Sequence, residues 1–218
     1  MPHADAPRPG RVVLVAGTAT DVGKTWVSAR ILTEARDAGL TVSVRKPLQS
    51  FDPSDGSPTD AEVLARASGE SPDDVCPPAN HFPLAMAPPM AASHLGREIP
   101  TTDRLVAALA WPGSVDLGLV EAVGGVRSPL AANGDTLDLA DDLRPDVVVL
   151  VADAGLGTIN AVRLCTEALE PHAVVVLLNR FDPADAVAAG NLTWLTEWDG
   201  YDVETEIPSL VRRITSAT

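Results

Sequence analysis

Cysteine is nearly absent from this chain of 218 residues: Cys76 and Cys165 are its two examples. So far apart, they supply neither a zinc-ligand spacing nor a disulfide framework; reduced thiols in a cytoplasmic setting are expected, with both side chains buried as small residues. Basic residues are scarce too, 16 Lys and Arg against 30 Asp and Glu, for a formal net charge of −14. With no Lys/Arg cluster to offset it, that deficit argues against nucleic acid and anionic membrane surfaces as partners. The acids are scattered, as on a solvated surface. Long hydrophobic runs are missing: even Asp146–Ala152 soon meets Asp153 and Gly155, well short of the roughly 18–20 apolar residues of a membrane span. Met1–Gly10 is rich in Pro and Ala and lacks the basic start and apolar core of a signal peptide, so it is expected to be a flexible tail before one domain over residues 11–218. No internal repeat is present, and His3, His81, His94 and His172 are scattered without a ligand set, which argues for ordinary surface or loop roles.

What is present alternates. Apolar runs of strand length at Arg11–Ala16, Thr41–Arg45, Asp116–Ala122, Asp146–Ala152 and Ala173–Leu178 are separated by helix-length stretches at Lys24–Ala38, Thr59–Ser68, Thr102–Leu109, Leu137–Asp142, Thr158–Leu169 and Pro183–Thr196. Nearly continuous Val and Leu suit strands buried on both faces, and strands alternating with helices give an α/β fold with a mostly parallel, doubly wound sheet flanked by helices. Residues 47–100 hold Pro77-Pro78 and Pro88-Pro89. Apart from one short helix that segment is expected to be irregular, and since it follows the second strand it should form the substrate side of a pocket. The prolines between Met86 and Met90 argue against a helix there, leaving gap-filling as the simplest role for both. Trp194 and Trp198, four apart, are read as a packing patch.

The most specific signal is GTATDVGKT, residues 17–25, placed after the first strand and opening the first helix. Gly17 and Gly23 let the backbone turn with its N–H groups inward, Lys24 reaches the outer phosphates, and the Thr25 hydroxyl suits Mg²⁺, so a nucleoside triphosphate is expected. Five residues, Thr18 to Val22, separate the first Gly from the Gly-Lys pair, where the common loop has four. Lys46, in the string KPLQS with Ser50, stands at the carboxyl end of the second strand. There it either stabilises a transferring phosphoryl group or is an ordinary strand-end lysine. Asp60 and Glu121 are the carboxylates best placed to complete a metal site with Thr25, though Asp60 would serve equally as a helix N-cap.

Taken together these strings resemble dethiobiotin synthetase over most of the chain. The family loop GTDTEVGKT has the same extra residue; KPLQS is similar to its KPxxS/T, SPTDA to its metal-binding Asp segment, VEAVGG to VEGAGG, and GLGTIN (155–160) to its LGxxN segment, with Asn179 at the adenine-contacting position. The resemblance implies an ATP-dependent cyclo-ligase of biotin biosynthesis. 7,8-Diaminopelargonate would take up CO₂ as a carbamate, ATP would phosphorylate it to a mixed anhydride, and the second amine would close the cyclic urea. It implies Lys24, Lys46 and Thr20 as catalytic residues, and Thr25, Asp60 and Glu121 as Mg²⁺ ligands. Gly17, Thr18, Thr20, Asp21, Val22, Gly23, Lys24, Thr25, Trp26 and Asn179 would contact the nucleotide. The substrate would meet Lys46, Ser50 and Gly124, with Gly157, Thr158 and Asn160 of a neighbouring copy receiving its carboxylate tail in a homodimer. Ala19, Asp21, Ala122, Val123 and Arg180 depart from the family strings. The same ring closure on another diamine, or a switch ATPase of the partition type, are the alternatives. The switch usually carries an early loop lysine, where this chain has Ala19.

Overall fold

A computed structural model describes residues 8–216. The central sheet is built from β1 (Arg11–Gly17), β2 (Val42–Arg45), β5 (Leu117–Glu121), β6 (Val147–Asp153), β7 (Val174–Asn179) and β8 (Val203–Glu204), in the order β2-β5-β1-β6-β7-β8. Every neighbouring pair is parallel. The strand carrying the glycine-rich loop is therefore central, and all carboxyl ends open onto one edge, where sheets of this kind bind ligands.

Alternation along β1 divides its side chains between two cores. Val12, Leu14 and Ala16 face one side, packed with Leu105 of α5 (Thr102–Ala107), Leu139 of α6 (Thr136–Leu143), Val162 of α7 (Thr158–Ala168) and Ala188 of α8 (Ala186–Thr193). Val13 and Val15 face the other, with Ile31 of α1 (Lys24–Asp37), Leu64 of α2 (Asp60–Ser68) and Leu210 of α9 (Ile207–Thr215). The expected layering is met. Among the described residues, no helix is long and apolar enough to cross a membrane.

Residues 47–100 are more ordered than expected. Beyond α2 they form α3 (Pro72–Val75), α4 (Pro88–His94) and a small parallel pair, β3 (Gln49–Ser50) with β4 (His81–Phe82). Pro88 and Pro89 open α4 rather than preventing it, because the first helical N–H groups need no partner and proline's φ is already helical. Met90 is thus helical and Met86 is not. Unexpected too is α9, where Pro208 sits in the first turn and Ile207, Leu210, Val211 and Ile214 form one buried face. The last expected helix begins at Ala186 and passes into a π-helical turn over Trp194–Trp198. There Trp194 and Trp198 stack on each other at 5.7 Å between centroids rather than filling a core.

Of the expected tail, residues 1–7 lie outside the described residues. Residues 8–10 are fastened down: Arg8 Nη2 donates to the Arg144 carbonyl at 2.7 Å, and the Gly10 N–H to Val115 at 2.7 Å. Pro9 is buried where a Cβ on Gly118 would lie 2.5 Å from it. Cys76 is buried and its thiol is pushed up to about 12 by desolvation; Cys165 is only partly buried, a correction to the sequence expectation, and burial pushes it up too. At both positions burial disfavours the thiolate.

Candidate active site

The loop after β1 is shaped by its own backbone and by β7. Gly23 caps α1 with φ 94° and no side-chain cap, leaving the first-turn N–H groups directed outward. A Cβ there would lie 2.3 Å from Asn179 Nδ2. Asn179 Nδ2 donates to the Val22 carbonyl at 2.9 Å, and Arg180 Nη2 to the Asp21 carbonyl at 3.0 Å, so the exit of β7 grips the loop at consecutive residues. Lys24 folds back, its Nζ donating to the Ala19 carbonyl at 3.1 Å. Desolvation, followed by repulsion from Lys46, holds its pKa below the usual lysine value.

At the ends of β2 and β5 lies a buried charged cluster. Lys46 Nζ is 2.7 Å from both Asp60 Oδ2 and Glu121 Oε1, and 3.4 Å from the Ala122 carbonyl. Thr25 Oγ1 lies 2.8 Å from Asp60 Oδ1 and 2.9 Å from Glu121 Oε1. Lys46 is 2% exposed and Glu121 fully buried. Burial alone would lower the lysine pKa, but the carboxylates of Glu121 and Asp60 outweigh it and raise it. The ammonium in turn depresses Asp60. Lys46 is thus no surface lysine. Nor is Asp60 the helix cap: Thr59 caps α2 in a reciprocal box with Glu62, freeing the Asp60 carboxylate.

A cavity of about 890 Å³ opens over this cluster and the loop. Its polar side includes Thr20, Lys24, Thr25, Lys46, Ser50 and Asp60; its apolar side includes Met86, Ala87, Pro88 and Val123. A second cavity, of about 530 Å³, runs past Trp26, Leu177, Asn179, Phe181 and Ile207. Gly23, Trp26 and Arg180 line both. A polar chamber on a phosphate-type loop joined to a smaller, more apolar cleft suits a nucleotide, with phosphates in one and the base in the other.

Most of the expected site residues converge here. Asp21 and Gly124 also line the larger cavity. Gly17, Thr18 and Val22 line neither; they shape the loop, and the Thr18 N–H is already donated to Val151 at 2.9 Å. Gly157, Thr158 and Asn160, at the start of α7, line neither. Sequence reasoning missed Gln49, buried inside the KPLQS string, and the Thr205–Ile207 side of the second cavity. Met86, expected from the sequence to fill a gap, lines the larger cavity.

Residues 11–210 match the family described as AAA domain. An ATP-dependent dethiobiotin synthetase of Anaeromyxobacter dehalogenans (strain 2CP-C) is 41% identical over 180 residues, covering 80% of this chain and 79% of that protein. The chain belongs to the dethiobiotin synthetase family. A further dethiobiotin synthetase, from Mycolicibacterium gilvum (strain PYR-GCK), is 43% identical over 162 residues, covering 72% of this chain and 68% of its own. Among solved structures, a plasmid partition protein from Borrelia burgdorferi superposes with a TM-score of 0.56 at 12% identity, covering 95% of this chain and 97% of that one, a likeness of fold.

The departures from the dethiobiotin synthetase strings now have places. Ala19 is exposed and contributes its carbonyl to Lys24. Ala122 is buried against β1, its N–H donating to Val15 at 3.0 Å, so its methyl does not enter the cavity. Val123 does line the cavity and adds apolar bulk. Arg180 is paired with Asp153 at 2.8 Å while gripping the loop.

Proposed function

We propose that residues 11–218 form one cytoplasmic catalytic domain that closes a cyclic urea on 7,8-diaminopelargonate, with CO₂ and ATP, giving dethiobiotin. Family membership supports this, and one observation carries it to the residues: Lys24, Lys46, Thr25 and Asp60 line a single cavity that also has an apolar wall, with Glu121 buried behind Lys46. A carbamate formed on one amine is an oxygen nucleophile for the terminal phosphate. Lys24 and Lys46 offset the negative charge that grows as that oxygen attacks, and Thr20 orients the phosphoryl group. The mixed anhydride leaves a carbonyl carbon open to the second amine, whose attack expels phosphate and closes the ring. Ser50 and Gly124 flank the reacting end, and Met86 and Val123 suit the alkyl chain.

The donor set fits a hard divalent cation. Thr25, Asp60 and Glu121 present only oxygens, and Glu121 Oε2 is buried without a hydrogen-bond partner. Mg²⁺ held by these residues would supply positive charge against the negative charge of the nucleotide's phosphates. Asn179, with Nδ2 committed to Val22, offers Oδ1 to an exocyclic amino group such as that of adenine.

Two copies are proposed to act together. Gly157, Thr158 and Asn160 stand apart from both cavities of their own chain, and Leu156 beside them is 95% exposed, as suits a segment completed by a partner. The carboxylate tail of the diamine would meet the α7 N-terminus of that partner. The test is to incubate purified protein with ATP, Mg²⁺, bicarbonate and 7,8-diaminopelargonate, following phosphate release and dethiobiotin mass. Diamine-dependent release with product is expected; release indifferent to the diamine overturns the ligase reading.

A further inference from the structure

We propose that the Lys46 ammonium and the divalent cation are rivals for the same two carboxylates, so that the metal is taken up tightly only together with the nucleotide whose phosphates receive the displaced ammonium. This rests on the metal ligands proposed above. Asp60 Oδ2 and Glu121 Oε1 each lie 2.7 Å from Lys46 Nζ, the contact distance of a charge-assisted hydrogen bond. Both belong to carboxylates assigned to the metal, and Glu121 keeps its second oxygen, Oε2, without a partner. Two cations on one pair of carboxylates repel strongly, and at 2% exposure Lys46 has little water to screen the repulsion.

Charge balance points the same way. Asp60 and Glu121 bring two negative charges, already offset by Lys46 within the cluster and by Lys24 nearby. A free dication therefore meets a site that is close to neutral, whereas a dication arriving with a polyphosphate brings its own anion. Lys46 also has somewhere to go. Its side chain lines the 890 Å³ cavity, and the phosphates held over Lys24 and the α1 N-terminus would stand in that space. The exchange turns the lysine toward the oxygens whose charge it must stabilise, so metal uptake and placement of the ammonium become one event.

The test is Mn²⁺ binding, read from the electron paramagnetic resonance signal of the free ion, in the protein and in Lys46→Met, with and without a non-hydrolysable ATP analogue. Without nucleotide, Lys46→Met is expected to bind Mn²⁺ at least about tenfold more tightly than the unsubstituted protein. It should also gain more in Tm from the ion, since the ion then neutralises two otherwise unpaired carboxylates. Equal affinities and equal gains overturn the rivalry. Glu121→Gln separates this from failure of the metal assignment: if Mn²⁺ binding with the analogue survives that change intact, the assigned ligands are wrong. Should Lys46→Met not fold, the unsubstituted protein still decides. Its Lys46 ammonium, shielded from water, should give a slowly exchanging ¹⁵N signal that shifts when Mg²⁺ and the analogue are added together and not with Mg²⁺ alone. An unmoved signal, or one that shifts fully with Mg²⁺ alone, overturns the proposal.

Discussion

Arg45 and Lys46 are consecutive buried cations, each paired with a glutamate, and their surroundings differ in one respect. Around Arg45 every oxygen of its partner is used: Glu70 Oε1 accepts from Ser43 Oγ at 2.7 Å and Arg45 Nη1 at 2.8 Å, and Oε2 accepts the Val44 N–H at 2.9 Å. The guanidinium also donates to the Ala110 carbonyl and lies over the Trp111 ring at 5.2 Å. Around Lys46, Glu121 Oε1 is shared by lysine and threonine while Oε2 has no partner, and Asp60 reaches the cavity. A saturated pair fastens the edge strand. An unsaturated one, on a cavity, holds capacity in reserve for a ligand, since a buried polar atom without a partner is costly unless something binds it.

The largest effect expected from this contrast is at Lys46. Lys46→Gln should lower kcat by about 10²–10³-fold while ATP still binds by calorimetry; a variant that keeps its turnover would place Lys46 with Arg45 as a structural cation. Next is Gly23→Ala, which forces a side chain into a φ of 94° and against Asn179. The KM for ATP should rise by about tenfold or more, as for strain combined with a displaced loop, with the KM for the diamine little changed. Glu70→Gln probes the other side: Tm should fall by a few degrees, about 2–4 °C per kcal/mol lost, with kcat unaltered, and a kcat loss would erase the distinction between the two pairs. The smallest effect is its pH dependence. Burial would raise the Glu70 pKa, but the hydrogen bonds from Ser43 and Arg45 outweigh it and the folded value is depressed. Its stabilisation is therefore present above the ordinary carboxylate range and lost as pH falls through the folded value. Glu70→Gln should show a shallower acid limb in Tm against pH than the unsubstituted protein.

How far the sequence could be read depended on the range of the interactions involved. The loop 17–25 and its flanking strand and helix are local, so residue types and spacing were enough. The run of Val and Leu in β6 and β7 marked doubly buried strands for the same reason. Lys46, Asp60 and Glu121 lie on separate elements; their places at strand and helix ends suggested a cation and a metal site, but left open whether Lys46 was an ordinary strand-end lysine and Asp60 a cap, and the family strings alone pointed to one reading. Where prolines suggested irregular chain at 88–89, they start a helix, because the same residue that breaks a helix interior suits its first turn. The Thr205–Ile207 wall depends on the pairing of β8 with β7, a contact without a local pattern. Gln49 was hidden because burial inverted the usual reading of a polar side chain.

The fastening of Arg8, Pro9 and Gly10 has a practical outcome. All strands of the sheet run the same way, and Arg8 and Gly10 donate to the Arg144 and Val115 carbonyls, just before β6 and β5 begin. A purification handle or surface anchor joined directly to Arg8 would thus be attached at the pole opposite the larger cavity. Immobilised through that end, the protein should present its open mouth to the bulk, with substrates free to enter.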